Sequence, residues 1–70
     1  SNDLESTKII ADTYTQVYRF YANDNPNLAQ ALRMLLDQAI TIKSNAFKQN
    51  PDKGFEEQIK VLTEAKASIQ

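Results

Sequence analysis

Apolar residues recur at helical spacing in the first third of the chain, at intervals of four, three and four: Ile10, Tyr14, Val17 and Tyr21. Polar residues recur at intervals of three and four on the opposite side: Glu5, Lys8, Asp12, Thr15 and Arg19. This pattern is typical of an amphipathic α-helix, which we predict over residues 3–22. Further apolar residues widen the apolar arc to roughly 200°, about twice what a core-facing stripe needs: Leu4, Ile9, Tyr18 and Phe20.

Each of the two prolines follows an asparagine, at Asn25-Pro26 and at Asn50-Pro51. The residue before a proline avoids the helical conformation, so each pair should end the helix that precedes it. Proline suits the first turn of a helix and asparagine is a good N-cap, so each pair should also start the next helix. We therefore predict a second helix over residues 26–49 and a third over residues 53–70.

The second predicted helix carries the most regular apolar stripe, at alternating intervals of four and three: Leu28, Leu32, Leu35, Ala39, Ile42 and Ala46. More apolar residues lie beside this stripe: Met34, Leu36, Ile40 and Phe47. A helix with so wide an apolar arc usually packs between two neighbours. We therefore expect the second helix to be the central one, with Leu32 and Leu35 in its core.

The third predicted helix has a narrower stripe: Phe55, Ile59, Leu62 and Ile69. Both predicted loops are short, and short loops make consecutive helices antiparallel neighbours. The chain of 70 residues is long enough for one small domain. We predict a single all-α domain over residues 1–70, an up-down-up antiparallel three-helix bundle.

Composition removes several kinds of chemistry. The chain has no Cys and no His, which takes away thiol chemistry, the usual zinc ligands and the commonest general base. Its net charge is −1, whereas nucleic-acid binding favours a basic face. We expect no catalytic residue, cofactor, metal, nucleic acid or small-molecule substrate. No signal peptide or membrane-spanning stretch is evident, which favours the cytoplasm.

Three groups of polar residues invite a catalytic or metal-binding role, and each has a simpler explanation. Glu56 and Glu57 are adjacent on a helix, so they point about 100° apart and cannot work as a pair. The asparagines around Pro26 alternate like calcium ligands, but an EF-hand loop would need Gly and Glu where Leu28 and Met34 stand. Lysines beside the apolar arcs are expected to extend along the edge of the core into water.

The aromatic residues of the first helix carry the strongest functional signal. Two neighbouring helices cannot easily cover an arc of roughly 200°, so part of it should stay exposed. Tyrosine is enriched at protein interfaces, because its ring is buried while its hydroxyl finds a partner. We predict that a partner protein or a second copy of the chain binds six residues: Ile9, Tyr14, Tyr18, Phe20, Tyr21 and Met34. The alternative is that these residues form one end of the core.

Two stretches have weak counterparts in known families. "GFEEQIKVLTEAKASIQ" resembles the second helix of a tetratricopeptide repeat at Phe55 and Ala65, but it departs from the repeat at Gln58, and no 34-residue period recurs. "KIIADTYTQVY", followed by "NLAQALRMLLDQAITIK" and a third helix, is similar in layout to class IIa bacteriocin immunity proteins. That resemblance implies an antiparallel helical bundle that binds a partner to protect the producer cell. The family's C-terminal segment has no counterpart here.

These patterns favour a small, non-catalytic helical protein–protein interaction module that binds through the first helix and the adjoining side of the second. The alternative is an immunity-type protein. Neighbouring genes would separate the two, since an immunity gene should lie beside a bacteriocin gene.

Overall fold

The computed structural model describes residues 2–70 and contains three α-helices, with no strand in that range. They are α1 (Asn2–Tyr21), α2 (Leu28–Gln49) and α3 (Lys53–Ser68), and a single 3₁₀ turn over Ala22–Asp24 extends α1. The prediction of an all-α three-helix bundle is confirmed, and each helix begins and ends within two residues of its predicted bounds.

Side-chain contacts fix the directions of the helices. The Thr7 hydroxyl oxygen of α1 lies 3.2 Å from the Gln58 side-chain oxygen near the start of α3. The Tyr18 hydroxyl donates to the Gln70 carbonyl just beyond the end of α3, at 2.6 Å. These two contacts, at opposite ends of α3, show that α1 and α3 run parallel.

Helix α2 runs antiparallel to α3. Its Arg33 donates to the Ile69 carbonyl oxygen at 3.0 Å, and Asp37, one turn further along α2, pairs with Lys66 at 2.6 Å. Helix α3 packs extensively against both α1 and α2, whereas α1 and α2 contact each other only slightly. The expectation that the second helix is central is therefore wrong. The wide apolar arc of α2 is not shared between two neighbours, because one side of it stays exposed.

The buried core is one connected cluster from all three helices: Ala11, Leu32, Leu36, Leu62, Ala65 and Ile69. The predicted place of Leu35 in the core is wrong, since this residue is 46% exposed whereas Leu36 is fully buried. On α1, the residues turned inward are Thr7 and Ala11 rather than Ile10. Thr7 and Ala11 have small side chains, which let α1 approach the neighbouring helices closely. On both α1 and α2 the buried residue is one position later than predicted, Ala11 instead of Ile10 and Leu36 instead of Leu35, so the buried side of each helix is rotated from the predicted one.

The two Asn-Pro pairs end helices as predicted, but neither asparagine caps the helix that follows. The Asn25 side-chain amide donates backwards to the Tyr21 carbonyl at 2.8 Å, so it satisfies a free carbonyl at the end of α1. The Asn50 backbone N–H likewise donates to the last turn of α2. The N-cap of α3 is Asp52, whose carboxylate accepts from the Gly54 N–H at 2.6 Å.

Candidate interaction surface

Seven large hydrophobic side chains are exposed, each by 46–71%. All seven lie on α1 or α2: Ile9, Ile10, Phe20, Tyr21, Met34, Leu35 and Ile42. We call the surface that they define the α1–α2 face. Isolated exposed apolar residues are ordinary, but a patch of this size on a small domain is not.

The α1–α2 face lies on the side of the bundle away from α3. On α2, Arg33 and Asp37 mark the side that reaches α3. Counting about 100° per residue, Leu35 and Ile42 project roughly 160–180° around the helix from the midpoint of those two residues, and Met34, at roughly 80°, lies at the edge of the face. On α1, Ile9 and Phe20 project roughly 140–160° from Leu4, which borders the junction of α1 and α3, and Ile10 and Tyr21 project roughly 100–120° from it.

One pair of exposed hydrophobic residues lies at the same level on α1 and α2. Both helices are in register with α3 through the contacts given above, and combining the two registers aligns α1 with α2. Ile10 is then level with Ile42 to within about one residue. Because α1 and α2 contact each other only slightly, the side chains of Ile10 and Ile42 stay 46% and 67% exposed.

Charge is distributed in the opposite way to apolar surface. Most polar residues that lie among the exposed hydrophobic ones on the α1–α2 face are uncharged, namely Thr13, Gln16, Gln38 and Asn45, and Asp3, seven residues before Ile10, is a charged one at the start of α1. Helix α3 carries charged residues along most of its length: Lys53, Glu56, Glu57, Lys60, Glu64 and Lys66. The α1–α2 face is therefore nearly neutral, and the side formed by α3 mixes both signs of charge.

The structure separates the six predicted partner-binding residues into two groups. Ile9, Phe20, Tyr21 and Met34 are exposed on the α1–α2 face. Tyr14 and Tyr18 instead pack against the buried core, and the Tyr18 hydroxyl is already used by the Gln70 carbonyl.

Sequence reasoning missed three residues of this surface: Ile10, Leu35 and Ile42. All three belong to the most regular apolar stripes of their helices, so their spacing indicated core. A clue was available in the width of each apolar arc, because an arc too wide to be covered must leave one of its edges in solvent. The sequence pattern of one helix does not indicate which edge that is.

The buried polar residues are engaged inside the bundle. Thr7 and Gln58, 5% and 2% exposed, meet where α1 packs against α3. The Thr7 hydroxyl also lies 2.7 Å from the Asp3 carbonyl oxygen, and one hydroxyl proton cannot serve two acceptors at once. Turning the Gln58 amide by 180° presents an N–H to the hydroxyl and lets both contacts form.

The described residues offer little support for a ligand site elsewhere. A surface hollow of about 590 Å³ lies between α2 and the end of α3, lined partly by Arg33 and Lys66. Both cations are already committed, to the Ile69 carbonyl and to Asp37. Within residues 2–70 no three carboxylate, imidazole or thiol groups come together as metal ligands would, and no helix has both the length and the hydropathy to cross a bilayer.

Searches against protein-family models, curated proteins and solved structures found no match for this chain. These searches therefore give no support to the resemblance to class IIa bacteriocin immunity proteins. Inference about the function starts from the residues and contacts described above.

Proposed function

We propose that this protein is a non-catalytic interaction module that binds another polypeptide chain through its α1–α2 face. The observation that carries the proposal is the concentration of exposed large hydrophobic side chains on that one face. Exposed apolar patches above a few hundred Å² usually mark binding surfaces on small proteins. Depletion of charge and enrichment of aromatic residues and methionine are typical of the centre of a protein interface.

The composition of the face also favours a polypeptide over other classes of partner. A nucleic acid would require lysine and arginine residues placed to contact its phosphates. The basic residues of α3 alternate with acidic ones, and the α1–α2 face is nearly neutral. Exposed apolar side chains on two neighbouring helices suit an amphipathic helix, whose own apolar side chains recur at helical spacing.

The polar contacts between helices support a structural rather than a catalytic role for the interior. The buried Thr7 and Gln58 join α1 to α3, and the partly exposed Tyr18 and Arg33 bind carbonyl oxygens at the end of α3. No buried side-chain oxygen or nitrogen atom of the described residues is left without a hydrogen-bond partner. A catalytic site usually holds polar groups that await a substrate.

Site-specific photo-crosslinking tests the proposal in the cells that make the protein. A benzophenone amino acid replaces Phe20 on the α1–α2 face, and in a matched control it replaces Thr63, which is exposed on α3. Adducts identified by mass spectrometry should form from position 20 and not from position 63. No adduct from position 20, or equal adducts from both positions, would refute the proposal.

A further inference from the structure

The proposed function leaves the bound polypeptide unspecified, and the chemistry of the face narrows the choice. Resting on that function, we infer that the α1–α2 face binds a second copy of this chain. The product is a two-fold symmetric dimer whose shared core is formed by α1 and α2 of both copies. Helix α3 of each copy then lies on the outside, where its charges meet water.

The amount of exposed apolar surface suits a dimer. The exposed fractions of the seven side chains together equal about four fully exposed residues. At roughly 200 Å² for a large side chain, this is roughly 800 Å². That area matches the roughly 800 Å² that each partner contributes to a stable interface of standard size.

The low charge of the face favours an identical partner. In a two-fold dimer the same patch meets itself, so a patch that carried charge of mainly one sign would meet charge of the same sign on the other copy. The polar residues on this face include Gln16, Gln38 and Asn45, whose amides are donors and acceptors at once, and Thr13, whose hydroxyl is also both. Such side chains can pair with copies of themselves. A partner of opposite charge would gain little here, because the face offers it almost no ion pair.

The arrangement of the helices also suits four-helix packing. Helices α1 and α2 are antiparallel, of nearly equal length, and contact each other only slightly. Two such pairs placed face to face form an antiparallel four-helix core. The level residues Ile10 and Ile42 would supply one apolar layer of that core.

Sedimentation equilibrium of the full chain, from low micromolar to millimolar concentration, tests the inference. We expect a reversible monomer–dimer equilibrium for the parent protein. Ile42→Lys should weaken dimerisation at least tenfold, because it places a charge on the apolar face of each copy. The matched control Thr63→Lys adds the same charge on α3 and should leave the dimer constant unchanged. Met34→Lys provides a second variant on the face should Ile42→Lys fail to fold by circular dichroism.

A mixing experiment separates a self-interface from a general effect of charge. Ile42→Lys and Ile42→Glu variants should each dimerise weakly, whereas their equimolar mixture should dimerise more tightly than either alone. A parent protein that stays monomeric over the whole range overturns the inference, and so does equal weakening by the Thr63→Lys control. If a different polypeptide is crosslinked through position 20 while the isolated chain stays monomeric, the proposed function stands and the second copy is ruled out.

Discussion

The two sides of this bundle differ in the exposure of their apolar side chains: six are buried in the core beside α3, and seven large ones are exposed on the α1–α2 face. On the side closed by α3, a few residues are buried almost completely, and polar side chains fasten one helix to another. On the α1–α2 face, large apolar residues remain in solvent and most of the polar residues among them are uncharged. Apolar side chains are buried where two helices approach each other closely, and small residues such as Ala11 and Ala65 permit that approach. The width of a helix's apolar stripe does not by itself decide which of its residues are buried.

Neighbouring leucines on α2 give the largest contrast between the two sides. Leu36→Ala should lower the free energy of unfolding by about 2–5 kcal/mol, since it opens a cavity in the core. Leu35→Ala should lower it by less than about 1 kcal/mol, because its side chain is already 46% exposed. Urea denaturation at concentrations where the chain is monomeric measures both. Equal losses, or a larger loss for Leu35→Ala, would mean that α2 is rotated differently in solution.

The polar contact between α1 and α3 gives the next largest effect. Thr7→Val keeps the side-chain volume but leaves the buried Gln58 amide facing a methyl group, which should cost about 1–3 kcal/mol. Gln58→Leu should cost less, because the Thr7 hydroxyl keeps the Asp3 carbonyl as an acceptor. A thermodynamic cycle with the double variant measures the coupling, and most of the loss should be recovered in it. A Thr7→Val variant as stable as the parent would show that water reaches this contact.

Two tyrosines compare the closed side with the open one through a single hydroxyl group. Tyr18→Phe removes the hydrogen bond to the Gln70 carbonyl and should cost about 0.5–1.5 kcal/mol. Tyr21→Phe, on the α1–α2 face, should change the monomer by less than about 0.5 kcal/mol. Thermal melts followed by circular dichroism give both values. If Tyr18→Phe has the same melting temperature as the parent, the Tyr18 hydroxyl is hydrated and does not stabilise the end of α3.

The smallest expected difference between the two sides is their response to salt, which should weaken the ion pair between α2 and α3 but not dimerisation through the α1–α2 face. Asp37→Asn removes the ion pair with Lys66. Both side chains of this pair are roughly half exposed, so the substitution should lower the free energy of unfolding by less than about 1 kcal/mol in dilute buffer. High salt should reduce that cost further, by screening. Dimerisation through the α1–α2 face should keep its strength over the same range of salt. A dimer that dissociates as salt is added would point to an interface formed by α3.

The dipeptides Asn25-Pro26 and Asn50-Pro51 show how far local rules reach. Both ended a helix where the sequence predicted, because the restriction on the residue before proline acts within the chain. Neither asparagine became an N-cap, because Asn25 turned back to the Tyr21 carbonyl and Asp52 was better placed to cap α3. Which of several candidate caps is used depends on the path of the loop, and that path is set by how the two helices pack.

The sequence by itself determined three helices, their ends to within two residues, and the all-α antiparallel bundle. Each of these follows from spacing, breakers and loop length, which are local properties. Only the tertiary structure decided that α3 is central, that Leu36 rather than Leu35 is buried, and that the exposed apolar residues of α1 and α2 share one face. Both helices have apolar arcs too wide for one neighbour to cover, so several rotations of each satisfy its own pattern. The choice among them is made by contacts between helices, such as Thr7 with Gln58 and Arg33 with the end of α3.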